Sequence, residues 1–160
     1  LCGLDSLAQA LRSSPPVAAM LRITAGDITA ALAALPAAQA LNRETGAAHA
    51  AGLFRPGQGL LLLREDIGRH NALDKLAGAA ARAGMSATDA MVVTTSRVSV
   101  ELVQKAAMMG CPILVAISAP TALAVRTAEA AGITLVAVAR ADGFEVFSHP
   151  ARIVGGSDAS

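Results

Sequence analysis

The sequence contains neither tryptophan nor tyrosine, and only three phenylalanines. A surface built on aromatic stacking is therefore not expected, which argues against single-stranded nucleic-acid binding. Charge of one sign is also missing, since the formal net charge is +1. No broad electrostatic footprint for DNA or a membrane surface follows, so any anion site must be local. No apolar run reaches the roughly 18 residues that span a bilayer, and no signal-peptide pattern opens the chain. The two cysteines, Cys2 and Cys111, do not make a disulfide framework, and a reducing cytoplasm is the expected compartment. An initiating methionine is absent too. Leu1-Cys2-Gly3 reads like the middle of a loop and suggests a fragment.

What is present is apolar bulk. Hydrophobic residues make up 54% of the 160 and charged residues 16%, a balance that suits a packed body rather than a disordered one. Alanine supplies much of that bulk, so helices should approach closely. The length fits one domain, expected over residues 1–154, with Gly155–Ser160 as a disordered tail.

Hydrophobic periodicity divides the chain. Asp5-Ser6 can cap a short helix that Ser13-Ser14-Pro15-Pro16 ends, and Asp27 can cap a second through about Leu35, after which Pro36 kinks or restarts it. Two apolar runs, His49–Phe54 and Gly59–Leu63, flank Arg55-Pro56-Gly57-Gln58 and predict a hairpin. A helix is predicted over Asn71–Ala83, ended by Gly84. Strands over 90–95, 113–117 and 134–139 then alternate with helices over 99–109 and 121–131, and a turn at 140–143 leads to a last strand over 144–147. Continuous Val, Ile and Leu strands separated by such helices indicate parallel βαβ units. The expected architecture is a three-layer α/β/α sandwich with a mixed sheet, its antiparallel strands at one side.

In open α/β sheets, ligands sit beyond the C-terminal strand ends. Four segments should converge there: Glu65–Asn71, Thr94–Ser99, Ser118–Thr121 and Arg140–Gly143. Together they hold hydroxyls, helix starts and three arginines, Arg69, Arg97 and Arg140. That set suits a phosphate-bearing ligand, because helix N-termini bind anions and Arg pairs bidentately with phosphate. Capping is the plainer reading of Ser and Thr in any one loop, and Asp66 with Arg69 could be a structural ion pair. The four loops taken together favour a ligand site, because capping alone does not call for Arg69, His70, Arg97 and Arg140 at one edge.

Other residues divide the same way. Glu101 and Lys105 sit at i,i+4 spacing, best read as a solvated helix pair, whereas Asp74 and Lys75 are adjacent and imply none. His49 reads as a hairpin-strand histidine or as a ligand neighbour beside His70, and His149 as an end-of-strand turn. Cys2 lies just before a candidate helix start, where the dipole would favour its thiolate and Asp5 would oppose it. Cys111, between Gly110 and Pro112, reads as a small buried hydrophobe.

Several segments in order resemble the FdhD family of formate dehydrogenase accessory proteins. They are Cys2-Gly3, Thr45-Gly46 with His49-Ala50-Ala51, the block Glu65–Lys75, Ser96-Arg97-Val98-Ser99 with Glu101–Lys105, Ser118–Thr121 and Val146–Pro150. The resemblance runs from Cys2 to about Ile153, and the Glu65–Lys75 block is highly specific. It implies a sulfurtransferase acting as a sulfur carrier. Such a protein takes persulfide sulfur from a cysteine desulfurase and passes it to the bis-guanine-dinucleotide molybdenum cofactor required by formate dehydrogenase. It further implies a cytidine deaminase-like fold, a homodimer and guanosine diphosphate (GDP) as a cofactor mimic.

The family's persulfide loop is Cys-x-x-Cys-Gly, and Cys2-Gly3 matches its second half, making Cys2 the catalytic candidate. The first cysteine, usually assigned as the carrier, would fall just before Leu1, and the family's N-terminal domain is missing as well. The family's molybdenum-cofactor segment matches Val138-Ala139-Arg140-Ala141-Asp142-Gly143, joined by Ser96, Arg97, Arg69 and His70 from the loop reading. Asp142 is a candidate acceptor for guanine N–H groups. No metal ligand of the protein's own is implied. Two other functions stay open. A guanine-nucleotide-binding or cofactor chaperone would need no sulfur chemistry. A zinc deaminase-like hydrolase would need His-x-Glu and Pro-Cys-x-x-Cys, whereas here His49 precedes Ala50-Ala51 and Cys111 precedes Pro112.

Overall fold

The computed structural model describes residues 16–140 and 142–155. In chain order these form α1 (Ala25–Ala38), α2 (Ala40–Thr45), β1 (His49–Arg55), β2 (Gly59–Asp66), α3 (Arg69–Arg82), β3 (Met91–Thr94), α4 (Val100–Met108), β4 (Ile113–Ala116), α5 (Ala122–Ala131), β5 (Thr134–Arg140) and β6 (Gly143–Ser148), closed by a short 3-10 turn at Pro150–Arg152. The expected helix at Asp5–Leu11, Cys2, Ala141 and the tail beyond Gly155 lie outside the described residues.

One six-stranded sheet runs in the order β2-β1-β3-β4-β5-β6. Strands β3, β4 and β5 are parallel neighbours, β1 is antiparallel to both β2 and β3, and β6 is antiparallel to β5. Antiparallel pairing thus occupies both margins and not one side as the sequence suggested. The turn between β5 and β6 is too short for a crossover, so β6 can only fold back on β5.

Strand alternation sorts the core into two layers. Leu53, Val92, Leu114 and Leu135 face α3, α4 and α5 through Leu73, Leu76, Leu102 and Ala128. Their neighbours Phe54, Met91, Val93, Ile113, Val115 and Val136 face α1 through Ile28, Ala31 and Leu35. Every residue of β3 and β4 is buried, as a central strand covered on both faces requires. The result is the three-layer α/β/α sandwich with a mixed sheet. Alanines fill the helix side of the inner layer at 72, 79, 80, 106, 124, 128 and 131, letting those helices sit close to the sheet.

Local corrections have local causes. Asp27 is not the cap of α1. Thr24 is, and Asp27 returns a bond to the Thr24 amide in a capping box, with N–H to carboxylate at 2.8 Å. Pro36 stands inside α1, and the carbonyls of Pro36 and Ala37 accept from the Arg43 guanidinium at 2.8 Å each. The chain breaks at Gln39 and restarts as α2, just beyond the kink or restart expected at Pro36. Its own N-cap offers no side-chain bond, so the Glu65 carboxylate accepts from the Leu41 and Asn42 amides at 2.8 and 3.0 Å. Helix α3 begins at Arg69, two residues earlier than expected from periodicity. On the margin strand β2, the Arg64 guanidinium and the Lys75 ammonium cover the carbonyls of Leu63 and Glu65, which blunts that edge.

Candidate functional site

Strand directions alone gather the four segments singled out in the sequence. β2 runs parallel to β3 because β1 is antiparallel to both, so β2, β3, β4 and β5 all end at the same margin. Arg69, His70, Ser96, Arg97, Arg140, Asp142 and Gly143 therefore share that margin. His49 stands there too, since it opens β1 opposite Asp66.

Hydrogen bonds lace these loops together. The Thr95 amide donates to the Ala50 carbonyl (3.1 Å), and the Ala50 amide returns a bond to the Thr95 hydroxyl (2.9 Å). Ile117 donates to Thr94, Val98 to Ala119 and Thr121 to Val98, at 3.1, 3.4 and 3.1 Å. The Val138 amide reaches the Ser118 carbonyl at 3.3 Å. Ser96 is buried and bonded to the Thr94 hydroxyl at 3.0 Å, so its own hydroxyl is committed to the loop.

The helix starts differ. Thr121 caps α5, accepting from the Ala124 amide at 3.0 Å. Gly68 and Ser99, the N-caps of α3 and α4, make no capping bond, and the Ser99 hydroxyl is buried without a partner among the described residues. The first turns of α3 and α4 thus keep amides free for an anion. Arg69, Arg97 and Arg140 are exposed, and none joins an ion pair among the described residues. These are three cations beside two open helix starts. Asp142 is exposed on the same rim, Val138 is half-buried and Ala139 is buried.

The expected pairs rearrange. Asp66 binds Lys75 and accepts from the Gly68 amide at 2.9 Å, and it does not pair with Arg69. Lys75 therefore has a carboxylate partner after all. Glu101 and Lys105 do not join each other along α4. They cross to α3, with Glu101 at 3.3 Å from His70 Nδ1 and Lys105 at 3.0 Å from Asp74. Both residues sit in i,i+4 register on each helix; Lys105 and Asp74 form a hydrogen-bonded rung between α3 and α4, while Glu101 approaches His70 Nδ1 without a hydrogen bond. Glu65 and Ser99 fall in the segments the sequence singled out, but their roles were not foreseen, because the first depends on a helix distant in sequence and the second on an unmet bond.

Burial, more than any neighbour, holds the His70 pKa below the usual histidine value, while Glu101 pulls the other way. The neutral ring is thus favoured in the folded state. A group with a lowered basic pKa makes the unfolded chain the better proton binder, so stability falls as pH drops through about 6.5. Denaturant melts of the native chain should accordingly lose stability between pH 7.5 and 5.5. His70→Asn should flatten that slope, and an unchanged slope would show that His70 is not its source. The Lys75 pairing lowers the Asp66 pKa, an effect that operates only in the carboxylate range, well below this window.

The remaining candidates lie elsewhere. Cys111 is fully buried at the opposite margin, at the entrance to β4, where burial pushes its thiol up to about 11 and its S–H donates to the Ile113 carbonyl at 3.1 Å. It is the inert small hydrophobe expected. Because His49 and Cys111 occupy opposite ends of the sheet, they cannot share a metal ion, which removes the geometry a deaminase-type zinc site needs. His149 sits in the left-handed region at φ 44° and its ring contacts the Glu129 carbonyl at 2.8 Å, an end-of-strand turn. An open groove of about 390 Å³ lies between α3 and α4, lined by Ala77, Ala81, Met85, Met108 and Met109. Its two charges, Asp74 and Lys105, neutralise each other, so it offers an anion nothing. No helix among the described residues is long and apolar enough to cross a membrane.

Comparison with known proteins identifies relatives of the chain. The model of the FdhD/NarQ family matches residues 1–154. A protein named sulfur carrier protein FdhD from Agrobacterium fabrum is 57% identical over 155 residues, covering 96% of this chain and 57% of that protein. One of the same name from Brucella melitensis is 64% identical over 130 residues, covering 81% of this chain and 48% of its own length. The chain thus spans about half the length of these relatives. A crystal structure described as a formate dehydrogenase accessory protein from Desulfotalea psychrophila superposes with a TM-score of 0.83 at 32% identity, over 91% of this chain and 62% of that one. The chain belongs to the FdhD/NarQ family.

Proposed function

We propose that this chain is the cofactor-handling domain of a sulfur carrier. In this reading, persulfide sulfur from a cysteine desulfurase passes to the bis-guanine-dinucleotide molybdenum cofactor, the cargo, before that cofactor enters formate dehydrogenase. The names of the relatives support the sulfur-carrier role. One observation carries the ligand: three exposed arginines and two uncapped helix starts on a single sheet margin, in a protein whose net charge is only +1. The cofactor's guanylyl arms carry diphosphates, and a diphosphate is what convergent guanidinium groups and free amides hold best. Arg97 and Arg140 clasp the phosphates, Arg69 and His70 line the start of α3, the segment Val138–Gly143 forms the opposite wall, and Asp142 receives guanine N–H groups. The homodimer and the cytoplasmic setting belong to the same reading.

Cys111 cannot be the sulfur carrier, because a buried thiol near pKa 11 is protonated and out of reach. The thiol role therefore falls to Cys2 or to a loop cysteine of a longer chain. Calorimetry of GDP binding tests the ligand. Arg97→Ala and Arg140→Ala should each weaken binding about tenfold, the effect of losing one charge-assisted phosphate contact. Unchanged affinity in both would remove the site from this margin. Desulfurase loading with labelled sulfur separates the carrier from the chaperone that delivers cofactor without sulfur chemistry. Label on Cys2 or its loop supports the carrier, and full cofactor delivery by a cysteine-free chain supports the chaperone.

A further inference from the structure

Strand β5 breaks its own alternation beside the candidate site. Leu135 and Ala137 pack toward α3, α4 and α5, and Val136 between them packs toward α1. Regular pleating would return Val138 to the α1 side. It packs instead with the α3–α5 layer, on the same side as Ala137, and Ala139 takes the α1 side. The pairing with β6 records the same slip. Ala137 opposes Glu145 and Arg140 opposes Gly143, so Val138 and Ala139 together face Phe144. This is a one-residue bulge. Val138 sits at φ 52°, in the left-handed region that a β-branched residue rarely enters. Its amide is tied to the Ser118 carbonyl at 3.3 Å, which fixes the bulge to the loop after β4.

Parity gives the slip a consequence. In an unbulged strand, Arg140 would fall on the α1 face, away from the starts of α3 and α4. With the extra residue it falls on the α3–α5 face, together with Arg69, Arg97 and the free amides. We propose that the Val138 bulge is a positioning device that aims Arg140 at the anion site. The inference deepens the function proposed above and rests on it for the nature of the ligand, though not for the placement of the side chain.

Two glycine insertions test it. One between Ala139 and Arg140 shifts the arginine by one position and reverses its face. One just after Arg140 lengthens the same turn equally and leaves the face unchanged. The first should weaken GDP binding about tenfold, as Arg140→Ala does, and adding Arg140→Ala to it should change little further. The second displaces Asp142 in the turn but leaves Arg140 in place, so it should weaken binding less than the first, and adding Arg140→Ala to it should weaken binding about tenfold further. Equal affinities for the two insertions, whether both retained or both lost, overturn the proposal. A second arm needs no nucleotide. With Cys2→Ser as background, Arg140→Cys and Ala119→Cys should be joined by a short bismaleimide, since Ala119 is exposed at the entrance to α5. The crosslink should survive the insertion after residue 140 and fail with the one before it, and equal yields again overturn the device. A native chain that shows this pattern yet binds no GDP would sink the ligand and keep the placement. Val138→Gly adopts the left-handed backbone without strain and guards against misfolded insertions. It should retain the crosslink, and losing it would mean that the side chain, not the slip, does the aiming.

Discussion

Gly132→Ala should destabilise the fold by about 3 kcal/mol, combining left-handed backbone strain with overpacking. Gly132 ends α5 at φ 73°, and a Cβ there would lie 2.7 Å from the Val17 carbonyl oxygen and 3.0 Å from its amide nitrogen. Neither backbone atom can swing aside as a flexible side chain would. The segment before α1 is held at this point, where the Val17 amide donates to the Ala131 carbonyl at 2.8 Å. Gly84→Ala is the control. Gly84 has a similar φ of 66° with nothing within 4 Å of its added Cβ, so it should cost only about 1–2 kcal/mol. Thermal melts by circular dichroism should separate the two variants by several degrees, at roughly 2–4 °C per kcal/mol for a domain this size. Coincident melts would show that the Val17 contact yields without cost.

Arg152→Met should be as damaging, at about 3 kcal/mol for the loss of several hydrogen bonds from a charged donor. Arg152 is buried, with no carboxylate partner among the described residues. Its guanidinium is solvated instead by carbonyls, those of Gly132, Val17, Pro112 and Ala19 at 2.6, 3.0, 3.1 and 3.4 Å, and by the Thr134 hydroxyl at 3.2 Å. Burial and then the nearby Arg22 lower its pKa. Arg152→Lys keeps the charge but loses the planar fork, and should recover only part of the stability. Since Arg152 and Gly132 hold the same segment, Arg152→Met combined with Gly132→Ala should cost less than the sum of the two. Urea titrations of the four species measure that coupling, and strict additivity would mean the two contacts are independent.

The parallel strands and their helices were legible because a strand buried on both faces writes a continuous apolar run, as Met91–Val93 and Ile113–Ala116 do. The convergence of Arg69, Arg97 and Arg140 on one margin was legible for a related reason: loops after parallel strands must emerge on one side. What escaped notice depends on partners distant in sequence. Helix α2 has no cap of its own and borrows Glu65. Arg152 looks like any basic residue near a chain end until carbonyls from three segments surround it. Glu101 and Lys105 fit the spacing of a helix pair, yet His70 and Asp74 on the neighbouring helix claim them. The bulge at Val138 carries no glycine or asparagine to announce it, and only the folded strand betrays the slip, through the β6 register, the backbone of Val138 and the burial of Ala139 on the far layer.

The sheet has two margins with separate duties. Gly84, Gly132, Cys111 and Arg152 knit the margin where β3, β4 and β5 begin, and the Pro56-Gly57 turn hangs from that end. The cations and open amides crowd the other, a strand's length away. Substitutions at the cationic pole can therefore leave the packing at the other untouched. A fluorophore or affinity handle grafted at Gln58 would ride on the opposite pole, leaving the cationic rim clear.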